Sequence, residues 1–464
     1  MSHQPVPAPT YHVQPPRASA IAHALLQQAW PVLVAQLLSM AMMVADTVIA
    51  GRYGTADLAG VAVGSSFYIS AIMLLNGILQ AVAPTVAHHV GAGQQDRIGP
   101  ALQQGFWLAL LLAVPGTLVL AYPQPLLALM GVPAATAHKA ADYLGAIACG
   151  LPAVLFYKTF YAFMNAVRRP RALMAISAVM TCCHVPLAWA LTHGVAGLPA
   201  LGGAGCGVST AVVNWLALAC GLLVLLRDPA LKTCRVFASW RSPDWRLLGA
   251  LARLGLPMGV STFIDISSFT LIAIFAARIG TETVAGHRVL ANLTGLIYMV
   301  PLSLSISTLV LVGQAAGARD WARARATVRV ALALVAGLAL LIGGALWLLR
   351  EPVVAWSSTD PAVRGVALGL VFYLCFYQAF DGLQVLIAHA LRGYKVTLLP
   401  MLLHTVSFWG LGLTGGYWLA FEAGARATAP SVTGFWEAGV LATLAASVLL
   451  GLLLRQVMRL KGRS

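Results

Sequence analysis

Residues 54–60 read Gly-Thr-Ala-Asp-Leu-Ala-Gly, and residues 280–286 read Gly-Thr-Glu-Thr-Val-Ala-Gly. The second stretch lies 226 positions after the first. The same offset relates further residues: Pro31 and Pro257, Arg52 and Arg278, and Gly91 and Gly317. Apolar helices often align by chance because they use few residue types. Loop glycines and a loop arginine that match at one constant offset are poorly explained by chance. The sequence therefore predicts two copies of one structural unit.

The composition is that of a membrane protein. Of 464 residues, 59% are hydrophobic and 9% are charged, and the mean hydropathy is +0.83. A soluble domain has about 25% charged residues. A helix of about 20 apolar residues crosses a bilayer. Such runs recur as twelve predicted spans: 30–50, 58–83, 101–122, 140–163, 172–192, 204–226, 254–277, 284–312, 328–349, 365–390, 398–421 and 437–458.

Continuous apolar runs favour helices over a β-barrel, because backbone groups in lipid must find partners within their own segment. Six spans fall in each copy of the repeat, so equivalent helices keep the same orientation. We predict an all-α integral membrane protein with twelve transmembrane helices in two six-helix lobes, related as parallel repeats. Substrate sites of transporters with this plan lie at the repeat interface near the middle of the membrane.

The predicted organisation has four parts. Residues 1–20 are a polar, Pro- and His-rich cytoplasmic tail, which we expect to be disordered and which lacks signal-peptide features. Residues 21–226 form the N-terminal lobe and residues 254–464 the C-terminal lobe. The basic stretch 227–253 is a cytoplasmic linker, with Trp240 and Trp245 as anchors at the membrane surface.

The net charge of +15 follows membrane topology. With the N-terminus inside, most of the 29 Lys and Arg fall on the cytoplasmic side, as the positive-inside rule requires. An even number of spans predicts that both termini lie in the cytoplasm. The many Ala and Arg and the few Lys suggest a bacterial host and hence its inner membrane. The charge distribution argues against a nucleic-acid partner. The seven cysteines show no metal-ligand spacing, and we expect them to pack between helices.

Three carboxylates interrupt the apolar spans: Asp46, Asp265 and Asp381. A charge within the bilayer costs about 2.5–3.5 kcal/mol on insertion scales. A chain that keeps three of them is expected to use them, and in a helical membrane protein the usual use is to bind or move a cation.

Asp381 is the strongest candidate. Tyr377 and Gln384 lie four residues before it and three after it, so all three side chains share one helix face. A carboxylate between a phenol and an amide can form an oxygen-rich cation site or a proton site. The alternative is an interhelical hydrogen-bond cluster that serves packing.

Asp265 has a similar setting, with Ser261 and Ser268 on its face of the helix. Its alternative is a serine-lined packing seam. Asp265 and Asp381 together could share a sodium ion, which prefers oxygen ligands, or a proton, since two like charges favour protonation of one of them.

The N-terminal half offers weaker candidates. Asp46 lies near the outer end of its span, and its repeat equivalent is Ile272, so the halves are expected to have different roles. Lys158 is the one cation within a span, and it either pairs with a carboxylate such as Asp46 or extends to the interface. His184 is either a hydrogen-bonded packing residue or a site residue. Asn292 is a further candidate of uncertain role.

The chain resembles the multidrug and toxic compound extrusion (MATE) family, in its NorM-like branch, from about residue 29 to residue 459. The resemblance is carried by five stretches: Asp46 with Gly51 and 58–60, residues 84–93, residues 201–207, residues 284–289 with Pro301 and 312–317, and Asp381-Gly382-Leu383-Gln384 followed by 391–395.

The resemblance implies antiport, in which a drug-like and often cationic molecule leaves while sodium ions or protons enter. It implies that acids at the positions of Asp46, Asp265 and Asp381 carry cation coupling and substrate binding, and that Tyr377 is a site residue. Two departures stand out. The seventh span usually carries Glu where Asp265 stands, and the fifth span usually carries asparagines where residues 184–188 read His-Val-Pro-Leu-Ala. We therefore expect coupling in the C-terminal half.

The hypothesis is a monomeric secondary multidrug exporter that works by alternating access. Asp265, Asp381 and Tyr377 couple to sodium ions or protons, and Asp46, Gln384, Ser261 and Ser268 contribute to substrate or cation binding. No cofactor is expected beyond a bound sodium ion. The alternative is a lipid-linked oligosaccharide flippase, which needs cationic groups in its cavity for pyrophosphate, whereas the spans of this chain offer only Lys158 against three Asp. A membrane-embedded enzyme is disfavoured, because the loops are short and no nucleotide-binding or hydrolase motif occurs. A receptor and a channel are disfavoured, because two parallel six-span repeats suit alternating access better.

Overall fold

A computed structural model describes residues 17–462 except 196, 198, 233, 235, 238, 239 and 424–428. The described residues form α-helices and one π-helical segment. In chain order these are α1 (Ala18–Tyr53), α2 (Thr55–Leu79), α3 (Val82–Gly91), α4 (Gln95–Ala121), α5 (Gln124–Leu129), α6 (Ala134–Ala148), α7 (Leu151–Ala166), α8 (Pro170–His193), α9 (Gly203–Arg227), α10 (Pro229–Lys232), α11 (Trp245–Ala277), α12 (Thr281–Gly317), α13 (Trp321–Leu348), α14 (Arg350–Ser357), α15 (Pro361–Gly393), α16 (Leu398–His404), the π-helix Thr405–Thr414, α17 (Gly415–Phe421) and α18 (Thr433–Lys461).

The all-helical, two-lobe membrane fold is confirmed. Eleven helical segments of the described residues are long and apolar enough to cross a membrane, and twelve if α6 and α7, bent by 55° at their junction, count as one span. Helices α1–α9 form the N-lobe, and α11–α18 form the C-lobe.

The predicted boundaries need small changes. The predicted tail lies outside the described residues as far as residue 16, and α1 begins at Ala18. The C-terminal part of the predicted linker is helical, because α11 begins at Trp245. Asp244 starts this helix early by accepting hydrogen bonds from the backbone N–H groups of Arg246 and Leu247.

The repeat is visible in the backbone. The spans Thr55–Gly91 and Thr281–Gly317 have the same length of 37 residues and the same offset. Four helices end in the same way, with a residue of positive φ two positions beyond the last helical residue: Gly93 after α3, Arg168 after α7, Arg319 after α12 and Lys395 after α15. In each case the backbone N–H of the residue after the positive-φ residue donates to a carbonyl oxygen five residues earlier in the helix. This is the hydrogen bond that commonly closes a helix at a left-handed residue.

The lobes pack closely at one end, which carries the ends of α3, α7, α12 and α15. We call it the inner end, because the charge distribution predicts that it faces the cytoplasm. Here α11 lies against α2, and a Cβ on Gly255 would collide with the carbonyl oxygen of Ile78. Only glycine permits this approach. On the neighbouring seam, Leu25 of α1 packs with Leu304 and Leu311 of α12.

Two hydrogen bonds join the lobes at the inner end, and they are equivalent by the repeat. His88 Nε2 lies 2.8 Å from the carbonyl oxygen of Gly393. Gln314, which matches His88 at the offset of 226, donates from Nε2 to the carbonyl oxygen of Ala166 at 2.9 Å. Ala166 and Gly393 are the last residues of the equivalent helices α7 and α15. We call these two bonds the inner latch.

The linker is bound to α4. Gln104 donates to the carbonyl oxygen of Ser242 at 3.0 Å and accepts from the backbone N–H of Asp244 at 2.9 Å. Gln103 makes a similar pair of bonds with the linker backbone. Trp240 stacks on Phe106 of α4 with ring centres 6.5 Å apart. The linker is thus held by protein contacts, and its anchoring at the membrane surface stays a prediction.

Candidate cation and substrate site

Asp381 is buried in the middle of the C-lobe. Its side chain on α15 is 5% exposed, and its Oδ1 accepts a hydrogen bond from Gln384 Nε2 at 3.0 Å. Tyr377, one turn away, is buried as well. The helix face predicted from the spacing is therefore turned into the lobe.

Asp265 faces the same region from α11. Its Oδ1 is buried and has no hydrogen-bond partner among the described residues, and its charge interacts with that of Asp381. The serines predicted on its face, Ser261 and Ser268, are both buried. The Ser268 hydroxyl donates to the carbonyl oxygen of Ile264 at 2.9 Å, so its proton is already used within α11.

Two phenols and one guanidinium complete the surroundings of the acid pair. Tyr298 of α12 and Tyr377 interact electrostatically with both carboxylates. The charge of Arg392, on the last turn of α15, also interacts with Asp265. The role of Arg392 was missed from the sequence because its position at the end of a span predicted a surface residue. The structure thus places Asp265, Asp381 and Tyr377 in one region of the C-lobe, where their side chains interact electrostatically.

The N-lobe carries a separate hydrogen-bonded chain of three residues. His184 on α8 is fully buried, and its Nε2 lies 2.8 Å from Oδ1 of Asp46 on α1. Its Nδ1 lies 3.1 Å from the hydroxyl of Ser209 on α9. This geometry suits an imidazole that donates to the carboxylate and accepts from the serine. We call these residues the N-lobe triad.

The N-lobe triad changes two predictions. His184 is the partner of Asp46, so it belongs with the candidate site. The predicted pairing of Lys158 with Asp46 is wrong, because Asp46 meets α8, whereas Lys158 lies on α7 with its Nζ 5.6 Å from the ring centre of Tyr161. Ser209 carried no sequence signal. Asn292 is exposed on α12.

The two lobes therefore offer different chemistry. The C-lobe has two neighbouring carboxylates, of which one oxygen is left without a partner among the described residues. The N-lobe has one carboxylate already satisfied by an imidazole. Within the part of the chain that the structure describes, no three His, Cys, Asp or Glu side chains are grouped as metal ligands. The acid pair suits a proton or a monovalent cation.

Comparison with known proteins gives one consistent picture. A family model described as MatE matches residues 31–190 and 257–418, one stretch in each lobe. The chain is 65% identical to a probable multidrug resistance protein NorM of Aromatoleum aromaticum, over 96% of both chains. It is 34% identical to the multidrug resistance protein PmpM of Pseudomonas aeruginosa, over 92% of this chain and 89% of that one.

Solved structures share the fold. The eukaryotic MATE transporter AtDTX14 is similar with a TM-score of 0.85 at 19% identity, over 96% of this chain and 98% of that chain. An outward-facing multidrug resistance MATE family transporter is similar with a TM-score of 0.86 at 16% identity, over 96% and 97% of the two chains.

Proposed function

The chain belongs to the MATE family and is a multidrug efflux transporter of the NorM type, and on that premise we propose that it exchanges organic cations for a monovalent cation bound between Asp265 and Asp381. It is a multi-pass membrane protein and not an enzyme. We place it in a bacterial inner membrane with both termini in the cytoplasm.

The unpartnered Oδ1 of Asp265, beside the charge of Asp381, supports this proposal most directly. A buried carboxylate without a partner is costly, and two neighbouring ones repel each other. A proton or a sodium ion at this position removes both costs. Tyr377 and Gln384 add a phenol oxygen and an amide to the same site.

Substrate recognition follows from charge and surface. Asp46 is partly accessible, with 13% of its side chain exposed. Apolar side chains next to it on α1, such as Met43 and Val44, are more than half exposed. A flexible, Met-containing apolar surface accepts many shapes, and an adjacent carboxylate favours a positive charge. This combination supports drug-like organic cations as the substrate class.

Exchange requires that ion and substrate favour different states of the two lobes, because each ligand can shift the equilibrium only by its differential affinity. The membrane potential contributes about 2.3 kcal/mol per charge for each 100 mV. Because an organic cation leaves as the monovalent cation enters, the potential acts only on the net charge that moves. One-for-one exchange of a singly charged substrate is therefore driven by the concentration gradient of the coupling ion.

The test uses the full-length protein in proteoliposomes with a fluorescent organic cation. Export is measured under an imposed sodium gradient and, separately, under an imposed pH gradient. We expect wild type to respond to one of them, which identifies the ion. Asp381→Asn should abolish that response. Asp96→Asn, the same substitution at an exposed position in the first turn of α4, is the matched control and should export normally.

Gradient-driven export by Asp381→Asn at the wild-type rate would refute the coupling site. The flippase alternative is not favoured, since the relatives are named multidrug resistance proteins.

A further inference from the structure

A small cavity lies in the C-lobe between the acid pair and the outer end. It is lined by residues of α11, α12, α15, the π-helix and α18: Ser268, Phe269, Ile272, His287, Tyr377, Phe408, Gly412, Phe435, Trp436, Gly439 and Ala442. His287 lies near the start of α12 and Trp436 near the start of α18, which places both on the outer side of Asp265. The π-helix takes part through Phe408 and Gly412, and such segments often occur at functional sites.

Two polar side chains in this cavity have unpaired nitrogens. His287 is 2% exposed and Trp436 is 4% exposed. Neither ring nitrogen of His287 nor the Trp436 Nε1 has a hydrogen-bond partner among the described residues. The rings themselves are in edge contact, with centres 5.8 Å apart. A buried N–H without a partner is unfavourable, so these groups favour a ligand that supplies hydrogen bonds.

The cavity lies next to the residues that flank the acid pair. Its inner wall contains Tyr377, one turn from Asp381, and Ser268, one turn from Asp265. Trp436 also contacts the Tyr377 ring, with centres 6.0 Å apart. Ile272 forms a wall that is only partly buried. A small ligand in the cavity is therefore separated from the carboxylates by the side chains of Tyr377 and Ser268.

Size and chemistry identify the ligand. The cavity volume is about 30 Å³, and one water needs about 10–15 Å³ and two to four polar partners. Trp436 supplies a donor, and a neutral His287 supplies one donor and one acceptor. N–H donors do not bind a bare cation, so the site does not suit a desolvated sodium ion.

We propose that His287 and Trp436 hold water in this cavity, and that the water forms the outer entrance through which the coupling ion reaches Asp265 and Asp381. The inference rests on the proposed function of the acid pair. It adds a water-binding site and two residues, His287 and Trp436, that act on ion access without binding the ion themselves.

The first arm of the test measures access of water-sized reagents. Cysteine is introduced at Ala442, which is fully buried and lines the cavity, and at Ala446, which is equally buried one turn along α18 but packs with Ile264 and Phe408. The background lacks the seven native cysteines and is first shown to export. Silver ion is added from the outside in nitrate buffer. We expect Ala442→Cys to react at least an order of magnitude faster than Ala446→Cys, and equal rates would overturn the proposal.

The second arm measures ion entry. His287→Phe removes both nitrogens while keeping a ring, and His287→Gln keeps a donor and an acceptor. We expect His287→Phe to slow silver labelling of Ala442→Cys and the initial rate of gradient-driven export, and His287→Gln to restore most of both rates. An unchanged export rate in His287→Phe would overturn the entrance. Size-exclusion chromatography in detergent shows whether the His287 variants are folded. If both fail to fold, Trp436→Phe replaces His287→Phe in this arm.

The two proposals fail separately. Asp381→Asn should lose coupling but leave the labelling of Ala442→Cys unchanged. If Asp381→Asn remains coupled while Ala442→Cys still reacts quickly, the acid-pair proposal fails and the water site stands. If Asp381→Asn is uncoupled and Ala442→Cys does not react, the acid pair stands and the entrance fails.

Discussion

At the scale of single residues, the three membrane carboxylates have three different surroundings. Asp46 has the imidazole of His184, Asp381 has the amide of Gln384, and Asp265 has an oxygen with no partner among the described residues. A satisfied carboxylate holds its geometry, and an unsatisfied one attracts a ligand. The difference explains why the C-lobe is the better place for a coupling ion.

His184 should matter for both stability and transport. His184→Ala leaves Asp46 without its partner at a largely buried position, which we expect to cost about 2 kcal/mol, somewhat less than for a fully buried pair. Thermal unfolding of the purified protein in detergent measures this, and export of an organic cation should fall in parallel.

Two control variants interpret that result. Ser209→Ala removes the hydroxyl beside His184 and keeps the contact with Asp46, so its effect should be much smaller. His184→Asn introduces an amide that can also donate to Asp46 and should recover part of the loss. Equal stability of wild type and His184→Ala would show that the 2.8 Å contact contributes nothing.

At the scale of helices, close approach of α2 and α11 depends on missing side chains. Gly255 faces the backbone of Ile78, with no room for a Cβ. In an apolar environment, small residues permit backbone contact and van der Waals packing, which replace the hydrophobic effect as the driving force.

Gly255→Ala should therefore open the inner end. The added methyl cannot fit without moving α11 away from α2, so the state with the inner end closed becomes less populated. Spin-label distances between the lobes at the inner end should lengthen. Gly249→Ala on the same helix is the control, because its added Cβ meets nothing within 4 Å. Identical distance distributions for the two variants would contradict this account.

Much of this helical architecture is predictable from sequence, and particular residues show where prediction stops. Hydropathy locates the spans because burial in lipid requires long apolar runs. The offset between Gly54 and Gly280 predicts equivalent loops. The spacing of Tyr377, Asp381 and Gln384 predicts one shared face, since helical periodicity is local.

Contacts between distant helices are not predictable in this way. Asp46 and His184 meet only because α1 packs on α8, and no local pattern records that packing. The same holds for Arg392, whose charge reaches Asp265 from the end of another helix. The π-helix Thr405–Thr414, with its wider turns, also has no clear signal in the sequence. Its Phe408 packs with Ile264 of α11 and Ala446 of α18, which are distant in sequence.

At the scale of the whole molecule, the inner end is where the lobes are joined by hydrogen bonds. The inner latch places one donor on each lobe, His88 and Gln314, against the last carbonyl of a helix in the other lobe. Gly91 and Gly317 let the backbones approach at the same two places. Opening toward the cytoplasm must break both bonds.

Removing the latch should shift the balance between the two states. Gln314→Ala and His88→Ala should each favour the inward-open state by about 1 kcal/mol, the net value of one hydrogen bond, and the double variant by about the sum. Thiol labelling of a cysteine at Ala87 from the cytoplasmic side measures the shift, because Ala87 is fully buried at the seam. Unchanged labelling in the double variant would mean that the bonds do not hold the lobes together.

The two bonds of the inner latch are related by the symmetry of the repeat. Each half of the chain gives a donor and receives one, at positions that are equivalent in the two halves. A contact of this kind is isologous, which is the arrangement found where two identical subunits meet across a two-fold axis. The molecule therefore closes as a symmetric homodimer would, although both partners belong to one chain. Its asymmetry lies in what the two halves carry inside: an imidazole-bound carboxylate in one and an acid pair in the other.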